Sequence, residues 1–275
     1  MSVELEPGLA DPEHGPRTQA PFGRRLCRVA GGEAVGPYVM LAVEDPQGPA
    51  PAPGQFYMLA AAGGWGGESG RPHLGRAFSV CRVRDHRLEF LLEAIGPGTE
   101  RLGELRAGDG AWVVGPLGIG FSEPPQGSRA LLVGGGIGIA PLVIWAETLA
   151  GPALSLLGFR DGSHARAAGL VPGKVAVATD DGTGSPDHHG LVTDLLEREL
   201  GAADVVYGCG PPPMLEAVRR ICVARGVEAQ LALEAGMACG FGACFGCVVL
   251  TRTGWRRLCV DGPVVRAAEL EEDWH

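Results

Sequence analysis

From Leu26 to Phe121 apolar and polar residues alternate in short runs: Leu26-Cys-Arg-Val, Tyr38-Val-Met-Leu-Ala-Val, Gln55-Phe-Tyr-Met-Leu-Ala, Ala77-Phe-Ser-Val, Arg87-Leu-Glu-Phe-Leu-Leu and Ala111-Trp-Val-Val. Each is rich in β-branched or aromatic side chains and bounded by turn residues, which predicts a strand. About six short strands at this spacing predict a small antiparallel β-barrel over residues 22–124. The glycine-rich stretch Ala62–Gly75 reads as a surface loop between two of them.

Beyond Pro124 and Pro125 the texture changes. Arg129-Ala-Leu-Leu-Val, Ala153-Leu-Ser-Leu-Leu-Gly-Phe, Lys174-Val-Ala-Val-Ala-Thr and Asp204-Val-Val-Tyr-Gly predict strands. Helical segments follow Gly134 and cover Leu191–Leu200 and Pro213–Arg225. Strands alternating with helices predict a doubly wound, Rossmann-like α/β domain over residues 125–233, its parallel sheet covered on both faces. Residues 234–275 form a small third module, and residues 1–21, rich in Pro, Glu and Gly, a flexible tail.

Composition narrows the partners. The net charge of −9 provides no basic patch for nucleic acid. Forty-five glycines and 22 prolines among 275 residues, 45% of them hydrophobic, fit a globular chain rich in turns rather than a disordered one. Ala130–Ala146 runs 17 residues without a charge, but Gly134, Gly135, Gly136, Gly138 and Pro141 interrupt it, so a strand, turn and helix suit it better than a membrane span. The N-terminus has neither a basic start nor an apolar stretch, and a cytoplasmic protein is expected.

The chemistry concentrates at Ala238-Cys-Gly-Phe-Gly-Ala-Cys-Phe-Gly-Cys-Val and Leu258-Cys-Val-Asp-Gly-Pro. Cys239, Cys244 and Cys247 have the C-x4-C-x2-C spacing of plant-type ferredoxins, and Cys259 offers a fourth thiolate, so the set predicts a [2Fe–2S] cluster. A zinc site, which would favour two similar C-x2-4-C pairs, and unliganded thiols are the alternatives. Cys27, Cys81 and Cys222 lack ligand spacing and read as packed thiols.

Leu132-Val-Gly-Gly-Gly-Ile-Gly-Ile-Ala-Pro-Leu lies where a strand passes into a helix, the place where backbone N–H groups hold a pyrophosphate. Tyr207-Gly-Cys-Gly-Pro-Pro-Pro-Met ends a later strand and should face it across the carboxyl edge of the sheet. Cys209 within it is either a packed thiol or a neighbour of the nicotinamide. Asp161, after the second strand, favours ribose hydroxyls and hence NAD over NADP, whereas Arg160 beside it argues the other way. In the barrel, Arg76-Ala-Phe-Ser and Gly96-Pro-Gly-Thr carry groups suited to a phosphate and a flat heterocycle.

A barrel with R-x-[aromatic]-S and G-T, then G-G-G-x-G-x-A-P and C-G-P-x-P-M, resembles the ferredoxin–NADP reductase superfamily. Within it the chain is similar to the electron-transfer subunits of NAD-dependent, class 1B dihydroorotate dehydrogenases. The likeness runs from about residue 24 to 265 and includes Pro53-Gly-Gln-Phe, Gly115-Pro-Leu-Gly-Ile-Gly-Phe, Thr179-Asp-Asp-Gly-Thr-Gly, Gly190-Leu-Val-Thr-Asp-Leu-Leu and Cys259-Val-Asp-Gly-Pro-Val, with Cys259 expected in a short hairpin. Ala77 stands where the family usually has proline.

The resemblance implies FAD in the barrel, held by Arg76, Ala77, Phe78, Ser79, Gly98 and Thr99 with backbone contacts from Leu91, Leu92 and Glu93. It implies NAD at Gly136, Gly138, Cys209, Gly210 and Pro211, and a [2Fe–2S] cluster on Cys239, Cys244, Cys247 and Cys259. It also implies a partner, the FMN-containing dihydroorotate dehydrogenase catalytic subunit, in a heterotetramer of two plus two. Electrons would run from FMN through cluster and FAD to NAD+, serving pyrimidine (UMP) biosynthesis, with no catalytic residue for dihydroorotate on this chain. Phe241, Phe245 and Trp255 are candidates for the face that meets the partner. The small subunits of sulfide dehydrogenases and of bifurcating ferredoxin–NADP reductases share the three modules, and a zinc-stabilised binding protein is the non-enzymatic alternative.

Overall fold

The computed structural model describes residues 23–66, 72–272 and 274. The expected tail over residues 1–21 lies outside them, as do residues 67–71 of the glycine-rich loop.

The first sheet comprises β1 (Arg25–Val35), β2 (Tyr38–Glu44), β3 (Phe56–Ala61), β4 (Arg76–Ser79), β5 (Arg82–Arg84), β6 (Arg87–Glu93) and β7 (Gly110–Leu117), with the short helix α1 (Pro97–Gly103) before β7. The strands form one antiparallel row, β4-β3-β7-β1-β2-β6-β5. Val29, Leu41, Tyr57, Leu59, Phe90 and Val113 pack together as its core. Period-two alternation puts Phe90 and Leu92 on that core, and Leu91 and Glu93 on the opposite face, toward the second domain.

The second sheet is built from β8 (Arg129–Gly135), β9 (Ala153–Phe159), β10 (Lys174–Thr179), β11 (His188–His189), β12 (Asp204–Cys209), β13 (Glu228–Ala232) and β16 (Val264–Arg266), in the order β11-β10-β9-β8-β12-β13-β16. All pairs are parallel except β13 with β16. Its central strands β8 and β12 are near-continuous apolar runs because helices cover both faces. The helices are α2 (Ala140–Thr148), α3 (Val192–Glu199) and α4 (Pro212–Arg225).

The uncharged stretch has its explanation in α2. Every residue from Ala140 to Trp145 is buried, and a helix apolar all round belongs in a core. Ile144 joins the core of the first sheet, Leu142 and Trp145 pack with Phe121 and Tyr207, and Val143 meets Tyr38, Met40 and Leu91 from the first domain. A fully buried Leu, Ile or Phe contributes about 1.5–3 kcal/mol, and the seam buries several such side chains. The apolar seam therefore joins the two domains. Among the described residues no helix is long and apolar enough to cross a membrane.

From β13 the chain leaves the second sheet, forms the cysteine loop, then the hairpin β14 (Val248–Thr251) and β15 (Gly254–Arg257) and the single turn α5 (Leu258–Asp261), and returns as β16. Residues 234–263 are thus an excursion from the second sheet: Gln230, Leu231 and Ala232 pair with Arg266, Val265 and Val264, and the Trp274 indole N–H donates to Glu216 at 3.0 Å. Cys259 lies in α5, just past the hairpin and not within it as expected.

Candidate functional site

The four cysteines converge in two pairs. The Cys239 and Cys244 thiols lie near enough for one to influence the ionisation of the other. The same holds for Cys259 and Cys247, and the Cys259 backbone N–H points at the Cys247 sulfur, 3.4 Å away. Gly240 and Gly242 have φ of +77° and +89°, which L side chains rarely adopt. A Cβ at Gly240 would lie 2.6 Å from Met58, and one at Gly242 2.7 Å from Val260. The loop is pressed onto β3 on one side and α5 on the other.

Burial opposes ionisation of Cys239, but N–H groups of Phe241, Cys244 and Ala243 and the Cys244 thiol outweigh it and lower the pKa to about 6. Burial, and then the neighbouring Cys247, push Cys259 up to about 12. Without a counter-charge the loop cannot hold four thiolates, so binding a cation would drive the remaining protons off. Two pairs of sulfurs suit a two-iron cluster, in which each iron takes two thiolates. The donor set therefore fits [2Fe–2S].

Two cavities meet where the domains join. The smaller, about 230 Å³, is lined by Ala77, Phe78, Ser79, Leu91, Glu93 and Thr99 from the first domain and by Ile137, Gly138, Cys209 and Glu234 from the second. An apolar slot with a few polar groups suits a flat ring system. Leu92, expected to meet FAD through its backbone, has its side chain in the core of the first sheet. Arg76 and Gly98 lie outside the lining and pack together: a Cβ at Gly98 would come within 2.8 Å of the Arg76 Nε, and Arg76 donates to the Leu74 carbonyl at 2.8 Å. The Thr99 hydroxyl accepts from the Ile95 and Gly96 N–H groups at 3.0 and 3.2 Å, which fixes the start of α1.

The larger cavity, about 620 Å³, has room for a nucleotide. Gly136, Gly138, Gly210 and Pro211 line it as expected from sequence. The two glycine loops touch, since a Cβ at Gly138 would stand 2.6 Å from the Gly210 nitrogen and the Cys209 carbonyl. At Gly136 a Cβ would meet nothing closer than the Tyr38 hydroxyl, 3.8 Å away, so glycine there keeps the cavity floor clear. Cys209 lines only the smaller cavity and is 2% exposed, with burial holding its thiol well above the ordinary range.

Asp161, expected at a ribose, is engaged within its own segment. Its carboxylate accepts from the His164 backbone N–H at 3.0 Å and faces His164 Nδ1 at 2.7 Å. Arg160 and His164, not Asp161, line the cavity. The sequence reading also missed Glu234, which follows the apolar end of β13 and borders both cavities. Protein surrounds it on most sides while its surface stays open to the cavities, and the loss of water raises its pKa. A lone carboxylate at the carboxyl edge of a parallel sheet is the signal that would have found it.

Residues 234–271 match the family model described as the iron–sulfur cluster binding domain of dihydroorotate dehydrogenase B. The chain is 39% identical over 229 residues to the dihydroorotate dehydrogenase B (NAD(+)) electron transfer subunit of Caldanaerobacter subterraneus subsp. tengcongensis, covering 82% of this chain and 89% of that protein. The chain belongs to this family of electron transfer subunits. The family member from Geobacillus thermodenitrificans is 40% identical over 231 residues, covering 79% of this chain and 86% of its own length. Among solved structures, an NADH-dependent reduced ferredoxin–NADP oxidoreductase superposes with a TM-score of 0.74 at 26% identity, covering 92% of each chain. The ferredoxin reductase of carbazole 1,9a-dioxygenase shares the fold, with a TM-score of 0.63 at 22% identity over 78% of this chain and 68% of its own.

Proposed function

We propose that this chain carries electrons from a dihydroorotate-oxidising catalytic subunit to NAD+, in the pathway that makes pyrimidines. The observation that carries this is the coexistence of a two-by-two cysteine loop with adjoining ring-sized and nucleotide-sized cavities in a chain of this family. When bound, a [2Fe–2S] cluster supplies single-electron transfer, and a flavin converts single electrons to the pair that a nicotinamide takes as hydride. Overall, dihydroorotate loses two electrons and two protons; NAD+ takes both electrons and one proton, and the other proton goes to solvent.

The residues divide this work. Cys239, Cys244, Cys247 and Cys259 would hold the cluster. Ala77, Phe78, Ser79, Leu91 and Thr99 orient the flavin ring, and Arg76 reaches its phosphate. Gly136, Gly138, Gly210 and Pro211 receive the dinucleotide, while Cys209 and Glu234 border the place where the two rings would meet. Residues 22–124, 125–233 and 234–275 serve as flavin, nucleotide and cluster units. The partner holds FMN and the dihydroorotate site, in an assembly of two plus two. Phe241, Phe245 and Trp255, 56%, 61% and 70% exposed around the cluster loop, form the apolar face that meets it. Phe245 is held at φ +57° with Arg257 over its ring, turned outward at the tip.

The similarity to the ferredoxin–NADP oxidoreductase subunit supports a second reading in which the same modules serve a bifurcating partner. One experiment separates the two. Adding the FMN-containing dihydroorotate dehydrogenase subunit to this chain should create dihydroorotate-dependent NAD+ reduction that neither chain shows alone. Failure of that mixture to reduce NAD+, or oxidation of dihydroorotate by this chain alone, overturns the proposal.

A further inference from the structure

We propose that Glu93, contributed by the first domain, makes the nucleotide cavity select NAD+ over NADP+ by masking Arg160. The inference rests on the reading that this cavity receives the dinucleotide. Arg160 directly follows β9, the second strand of the βαβ unit that begins with the glycine loop. In doubly wound domains that position meets the adenosine ribose, where an acidic residue favours a 2′-hydroxyl and an arginine accommodates a 2′-phosphate. The acidic residue at this place, Asp161, holds His164 with one carboxylate oxygen and has the other 3.9 Å from the Arg160 Nε, outside the cavity lining, whereas the arginine lines the cavity. Read from sequence position alone, such a site would accept NADP+.

The guanidinium is nevertheless engaged. Its Nη2 donates to the Glu93 carboxylate, and its Nε donates to His164 Nε2 at 2.9 Å. His164 is held in place by Asp161 at its other ring nitrogen and by an edge-on contact with Tyr38, with centroids 5.4 Å apart. A histidine protonated on Nδ1 satisfies all of these contacts, donating to Asp161 and accepting from Arg160. Glu93 also lines the cavity. An incoming 2′-phosphate would find two of the three guanidinium nitrogens, Nε and Nη2, already engaged and a carboxylate within reach, so it would be repelled and poorly paired. A 2′-hydroxyl meets no such penalty and can donate to the carboxylate.

The test uses the FAD-loaded chain in complex with its catalytic partner, with 5′-AMP and 2′,5′-ADP as probes and dissociation constants from calorimetry. The wild type should prefer 5′-AMP. Glu93→Gln should shift the ratio toward 2′,5′-ADP by about tenfold or more, the scale of one charge-assisted hydrogen bond gained. The double variant Glu93→Gln with Arg160→Ala should lose that gain. A purely structural role for Glu93 would weaken both probes together, and an unchanged ratio overturns the masking, as does a gain that survives removal of Arg160. Should Glu93→Gln shed its flavin, Arg160→Gln decides: masking predicts an unchanged ratio, and a roughly tenfold loss of 2′,5′-ADP alone refutes it. If the wild type binds neither probe, the nucleotide reading of the cavity fails together with this inference.

Discussion

Glycine does different work in the cluster loop and in the nucleotide cleft. At Gly240 and Gly242 the backbone needs left-handed dihedrals to turn N–H groups and thiols inward over a few residues. At Gly138 the constraint is space, because the residue's missing Cβ lets two loops approach that lie some 70 positions apart in sequence. The cluster loop is therefore specified locally, by the spacing of its own residues. The cleft is specified by topology, since its two halves become neighbours only when β8 and β12 pair. A change in the first should remove one function cleanly, whereas a change in the second should disturb whatever both loops touch.

The sharpest break of this contrast is Cys247→Ser. Cys247 is 2% exposed and shares its site with Cys259, so iron should fall from about two per chain to none, with FAD and NADH oxidation by artificial acceptors retained. Cys222→Ser, in the packed side of α4, should keep its iron. Iron and acid-labile sulfide analysis of anaerobically purified protein checks both, and full iron in Cys247→Ser would refute the ligand set. The counterpart in the cleft is Gly138→Val. Its side chain would meet backbone within 2.6 Å, and overpacking of this kind costs about 1–3 kcal/mol. NADH affinity should fall about tenfold or more while iron content stays unchanged. Loss of iron in that variant would mean the two regions are not independent.

The same contrast explains what was legible in sequence. The cysteine loop could be read as an iron–sulfur module because a spacing of a few residues marks it, and the glycine loops because each marks a strand end. What sequence could not show is where a side chain goes once distant elements meet. Asp161 and Arg160 are adjacent and equally plausible at a ribose, and only the position of His164 and of Glu93 from another domain decides which faces the cavity. Leu91 and Leu92 differ by one strand position, hence by which face they occupy. β5, β11 and β16, two or three residues each, are too short for alternation to register, and β13 lacks β-branched residues altogether. The glycines and the proline in the long uncharged run speak against a membrane span, but that α2 is buried between two domains appears only in the fold.

A smaller effect sharpens the first-domain side of the cleft. Arg76 packs on Gly98 beside the ring-sized cavity without lining it, a placement that suits a flavin's phosphate better than its ring. Arg76→Ala should leave the fold intact and lower FAD affinity about tenfold to hundredfold, the value of about 1.5–3 kcal/mol for a hydrogen bond to a charged group. Fluorescence titration of the deflavinated protein measures it. Wild-type affinity in the variant would displace the phosphate from Arg76.

The smallest expected effect tests how the cluster excursion is tied back to the nucleotide domain. Glu216 on α4 accepts from Arg219 at 2.7 and 2.9 Å, from Arg220 at 2.6 Å and from the Trp274 indole at 3.0 Å, which fastens the chain beyond β16. These donors, Arg219 foremost, hold its pKa at about 2, below the ordinary 4.5. A depressed carboxylate stabilises the fold fully above pH 4.5 and loses that contribution as the pH falls toward 2. With Arg220 72% exposed, water weakens part of the network, and about 1–2 kcal/mol at neutral pH is a fair discount from the full shift. Glu216→Gln should therefore lower Tm by a few degrees, about 2–4 °C per kcal/mol for a chain near this size, with iron retained because no cysteine is touched. The difference between wild type and variant should then shrink as the pH is lowered from 5 to 3. A difference that stays constant over that range would mean that Glu216 secures the excursion through shape alone, and not through the charge that Arg219 and Trp274 surround.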